Sequence, residues 1–74
     1  MKQKIIGKVL WWDKKYGHGI VEDKDCNEYY IDNSVLNPRS LSETLKKGTL
    51  VSFVLNELIK DCRCGKDLQE IRNE

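Results

Sequence analysis

Short runs of β-branched and aromatic residues, separated by clusters of turn-forming residues, dominate the hydrophobic pattern of this chain. That pattern predicts strands rather than helices. A first strand is expected over residues 5–12, followed by the charged turn Asp13-Lys14-Lys15. Residues 16–22 then alternate with a period of two, which puts Tyr16, His18 and Ile20 on one face and Gly17, Gly19 and Val21 on the other. Residues 23–27 carry the Asp and Asn chemistry of a hairpin loop. In a third strand over residues 28–32, Tyr29 and Ile31 point one way and Glu28, Tyr30 and Asp32 the other.

The pattern weakens over residues 33–48. Asn37-Pro38-Arg39-Ser40 is expected to be a loop, and residues 42–47 suit one helical turn before Gly48. The strongest strand follows over residues 49–58, with Leu50, Ser52, Val54 and Asn56 opposite Val51, Phe53, Leu55 and Glu57. A turn over residues 61–65 precedes a fifth strand over residues 66–72, anchored by Leu68 and Ile71, although that three-residue spacing also suits a helix. Five strands with one long connection predict an all-β, five-stranded Greek-key barrel of the oligonucleotide/oligosaccharide-binding (OB) type.

A chain of 74 residues has room for one domain, spanning residues 1–74, and for no large enclosed active site. No apolar run approaches the roughly 20 residues of a membrane helix, and Ile5-Ile6 is too short for a signal peptide, so a cytoplasmic location is expected. The cysteines Cys26, Cys62 and Cys64 are odd in number and are expected to be reduced thiols. Net charge is only +1, so no global field advertises a polyanionic partner. Charge is nevertheless uneven. Lys2, Lys4, Lys8, Lys14 and Lys15 make the N-terminal stretch basic, whereas Glu22, Asp23, Asp25, Glu28 and Asp32 make the next stretch acidic.

Several ordered motifs carry a family resemblance. Gly7-Lys8-Val9-Leu10-Trp11-Trp12 followed by Tyr16-Gly17-His18-Gly19-Ile20-Val21 resembles the first ribonucleoprotein-type motif of cold-shock domains. Glu28-Tyr29-Tyr30-Ile31-Asp32-Asn33-Ser34 is similar to the second, Leu45-Lys46-Lys47-Gly48 with Val51 and Phe53 to the Leu-x-x-Gly-x-x-Val-x-Phe stretch, and Leu68 with Ile71 to the closing segment. The likeness spans nearly the whole chain. It implies a barrel on which bases stack, and Trp11 and Tyr30 match two of the stacking positions. Elsewhere the sequence departs: two family Phe positions are His18 and Ile20, a His and a Phe are Asp32 and Asn33, two flanking Lys are Leu10 and Tyr16, and an aromatic of the connection is at best Leu41.

The expected function is therefore binding of single-stranded RNA or DNA, as an RNA chaperone or cold-shock-type regulator. Trp11, Tyr16, His18, Ile20 and Tyr30 would form the stacking face and Lys8, Lys14 and Lys15 would contact phosphates, with Asp32 on the same face opposing them. Of the two adjacent tryptophans, Trp11 is expected outside and Trp12 in the core. Gly17 and Gly19 would let a phosphate backbone, or the barrel's own curvature, approach closely. The alternative is a degenerate barrel serving as a protein-interaction or regulatory module. His18, Cys26, Cys62 and Cys64 lack zinc-knuckle spacing, and no nucleophile or phosphate-loop motif is present, so no metal, cofactor or enzymatic activity is expected. Neither a membrane nor a small-molecule substrate is an expected partner, and the chain is expected to be a monomer.

Overall fold

The computed structural model describes residues 4–57 and 63–71. Five strands form, β1 (Ile5–Asp13), β2 (His18–Asp23), β3 (Glu28–Asp32), β4 (Leu50–Leu55) and β5 (Gly65–Glu70), with short 3-10 turns at Asn33–Val35 and Arg39–Glu43 between β3 and β4. All pair antiparallel in one sheet of order β3-β2-β1-β4-β5. The sheet curls far enough for its edges to meet. Tyr30 donates its backbone N–H to the Arg63 carbonyl at 2.8 Å, and isolated parallel bridges join Tyr30 to Cys64 and Leu36 to Leu68. The result is an all-β, barrel-like shell. Among the described residues no helix is long and apolar enough to cross a membrane.

Alternation along the strands fills the inside of the curl. Val9, Val21, Ile31, Val51, Phe53 and Leu68 are almost wholly excluded from solvent, and Tyr29 packs edge-on to Phe53 with ring centroids 4.9 Å apart. One irregularity sets the outer face. The β1–β2 register steps from Val9↔Val21 to Trp11↔Ile20, which leaves Leu10 as an extra residue. Strict alternation from Val9 would send Trp11 inward; the bulge at Leu10 reverses the phase. Trp11 is thereby exposed, while Trp12 packs against the core and donates its indole N–H to the Ser42 carbonyl at 3.1 Å.

The elements differ from the sequence expectations at several ends. Tyr16 and Gly17 belong to the turn rather than to β2, because Gly17 sits at φ 70° and its N–H closes onto the Asp13 carbonyl at 2.7 Å. The helical turn expected over residues 42–47 forms earlier, at Arg39–Glu43 directly after Pro38, and buries Leu41. In β4, Val51, Ser52, Phe53 and Val54 are all buried and Leu55 is exposed, so Leu55 does not share the inward face of Phe53. The neighbouring register shift puts its extra residue on β5, where Asp67 takes a positive φ of 51°. Gly65, expected in a turn, opens β5 by pairing with Leu55. Leu58, Asp61, Cys62 and Arg72, which the expected strand ends and turn included, lie outside the described residues.

Candidate functional site

Strand register assembles the site. Trp11, Ile20 and Tyr30 are direct neighbours on β1, β2 and β3, so they form one row across the outer face of the sheet. Trp11 is 45% and Tyr30 39% exposed, with Ile20 half-buried between them. His18 lies two residues before Ile20 on the same face of β2. Its ring centroid is 5.3 Å from that of Trp11, 6.1 Å from Tyr30 and 6.3 Å from Tyr16, edge-on to both Trp11 and Tyr16. These separations fall within the range in which aromatic rings attract one another. Tyr16 reaches the group from the turn and is 71% exposed. The four rings thus form one contiguous outward patch centred on His18. Beside it lies a shallow depression lined by Tyr16, Gly17, His18, Tyr30, Asp32, Asn33 and Ser34.

Charge around the patch is mixed. The Lys15 ammonium lies 5.5 Å from the centre of the Tyr16 ring, a cation held at the rim of the aromatic surface. Lys14, expected to contact phosphate, has its Nζ paired with Glu43 at 2.9 Å, both side chains lying largely in solvent. Lys8 is exposed on the outer face, but its register neighbour on β2 is Glu22, itself opposite Glu28, so its row is predominantly acidic. Asp32 lies opposite His18 on β3. Its Oδ1 accepts the Ser34 backbone N–H at 2.9 Å and the Ser34 hydroxyl at 2.6 Å, capping the first 3-10 turn.

The two glycines serve the fold. A Cβ on Gly19 would lie 2.3 Å from the Trp11 carbonyl oxygen, and one on Gly17 would collide with the Asn33 side chain. Their close approach is therefore made by the sheet and the 3-10 turn. Leu41 is 7% exposed and lies in the core, so it offers no stacking surface. Leu10 is half-buried at the bulge.

Sequence reasoning placed Asn33 and Ser34 in the second motif but gave neither of them, nor Arg63, a place in the binding face. The Asp-x-Ser spacing of residues 32–34 was a usable capping signal. The exposed Arg63 is brought beside Tyr30 only when the sheet edges meet, and nothing local announces it. At the far end of β2, Asp23 is a structural carboxylate. Partial burial works to raise its pKa, but hydrogen bonds from the Asn27 backbone, the Tyr29 hydroxyl, the Asn27 side chain and the Asp25 backbone together hold it below the ordinary value. Desolvation, and then the bond to Asp23, push Tyr29 upward. Compared with protein-family models and with curated proteins, the chain matches none of them.

Proposed function

We propose that this chain binds single-stranded RNA or DNA on the outer face of β1, β2 and β3, using a five-stranded oligonucleotide-binding barrel of the cold-shock type. The observation that carries this is the contiguous exposed patch of Trp11, Tyr16, His18 and Tyr30. A small domain that leaves several rings in water forgoes burial worth a substantial share of its stability, and clustered apolar surface of this kind marks a contact site. Bases stack on the rings, Ile20 fills the surface between Trp11 and Tyr30, and Lys15, with Lys8 further along β1, attracts phosphates. Each stacked base contributes about 1–3 kcal/mol with little regard to sequence. Capture of unpaired strands by such a face shifts a weak RNA hairpin toward its open form, as a chaperone without hydrolysis would.

The test is oligonucleotide binding by Trp11→Ala and Tyr30→Ala proteins whose circular dichroism matches the parent. Each is expected to lose affinity by about fivefold to a hundredfold, which corresponds to one stacked base. A folded Trp11→Ala protein with undiminished affinity excludes this face. The carboxylates of Asp32, Glu22 and Glu28, together with the pairing of Lys14 by Glu43, favour a second reading, a protein-interaction module built on the same barrel. That alternative predicts no response to any oligonucleotide.

A further inference from the structure

One group on the aromatic face is unsuited to a phosphate yet held in a fixed orientation. Both hydrogen bonds from Ser34 end on Oδ1 of Asp32, so the carboxylate is locked in place, and Oδ2 has no hydrogen-bond partner among the described residues. Asp32 lines the depression together with Tyr16, His18 and Tyr30, opposite His18 in the β2–β3 register. A carboxylate repels the sugar-phosphate backbone and accepts hydrogen bonds without donating any. A strand stacked here therefore turns a base edge, and not its backbone, toward Asp32.

We infer, on the basis of the nucleic-acid face proposed above, that this depression is a guanine-selective subsite in which Asp32 reads the Watson–Crick edge of a base stacked beside Tyr30 and His18. The chemistry of the bases decides the assignment. Guanine alone presents two adjacent donors on that edge, N1–H and the N2 amine, which converge on the two acceptor sites of Oδ2, those of Oδ1 being taken by Ser34. Uracil and thymine offer a single N–H flanked by two carbonyl oxygens, which a carboxylate repels. Cytosine and adenine each place a ring-nitrogen acceptor beside their amine. Edge reading of an unpaired, stacked base is the usual source of sequence preference in single-strand recognition. A well-matched pair of hydrogen bonds discriminates by tenfold or more.

The experiment titrates the protein with heptauridylate and with heptauridylates carrying one guanine at each position in turn, then with inosine in place of the guanine. The best-placed guanine is expected to tighten binding about tenfold, and inosine, which lacks the N2 amine, to forfeit most of that gain. In Asp32→Asn, whose side-chain carbonyl still accepts from Ser34, guanine and uracil should bind within about twofold of each other, with heptauridylate bound as well as by the parent or better. Equal affinity for the guanine and all-uracil strands in the parent overturns the guanine assignment and leaves the stacking face standing. A preference that survives Asp32→Asn overturns the role of Asp32. Failure of the parent to bind any of these strands removes the face itself.

Discussion

Trp11 and Trp12 are identical neighbours with opposite environments, and the cause is a single extra residue at Leu10. At this scale the face also depends on Gly19, where a Cβ would lie 2.3 Å from the Trp11 carbonyl oxygen. That obstacle is backbone and cannot rotate away. Gly19→Ala is therefore expected to force β1 and β2 apart, with a loss of about 1–3 kcal/mol in urea unfolding. Asp23 gives a pH prediction with a definite sign. Its folded pKa lies below its unfolded one, so its contribution is complete above about pH 4 and is lost as pH falls through the folded value. Urea midpoints measured down the acid limb should fall more steeply for the parent than for Asp23→Asn. Identical acid limbs would show that the loop over residues 23–27 does not depend on that carboxylate.

At the scale of elements, the turn joining β1 to β2 is fixed by Gly17 at φ 70°. An alanine there meets both the left-handed backbone penalty and the Asn33 side chain, so Gly17→Ala should destabilise by about 1–2 kcal/mol and displace Tyr16 from the patch. Thermal unfolding and oligonucleotide binding would both register the change. The strands themselves were legible because period-two alternation is a local property: β3 spans Glu28–Asp32, with Tyr29 and Ile31 inward and Tyr30 outward, as the pattern implied. Strand ends were less so. They depend on partners, as where Leu55 pairs with Gly65 or where Pro38 starts a 3-10 turn earlier than the helical spacing suggested. The same limit applies to the site. The rings of Trp11, Tyr16, His18 and Tyr30 are named by their positions in motifs. By contrast, the pairing of Lys14 with Glu43, the burial of Leu41 and the placement of Arg63 beside Tyr30 arise between segments far apart in the chain, and no local pattern encodes them.

At the scale of the whole molecule, the inner layer and the outer face are made by the same strands, so stability and the proposed binding separate by the side of the sheet. Phe53 is fully buried and packs against Tyr29. Phe53→Ala is expected to cost about 3–5 kcal/mol, enough to unfold most of a domain this small at room temperature. Trp11→Ala, on the opposite face, should lower thermal stability far less than Phe53→Ala, losing the part-covered ring and its edge contact with His18. A net charge of +1, with Lys14 paired to Glu43 and Lys15 as the cation at the rim of the patch, limits the electrostatic part of the proposed binding. With one or two phosphates neutralised, the logarithmic salt slope should be about −0.7 to −1.4, far shallower than for a strongly basic protein. The most direct measurement is a fluorescence titration of the Trp12→Phe protein, in which Trp11 is the sole tryptophan, with a single-stranded oligopyrimidine at low and moderate salt. Stacking on the outer face predicts quenching that saturates and weakens modestly with salt. An unchanged Trp11 signal at low salt, from protein shown to be folded, would contradict it.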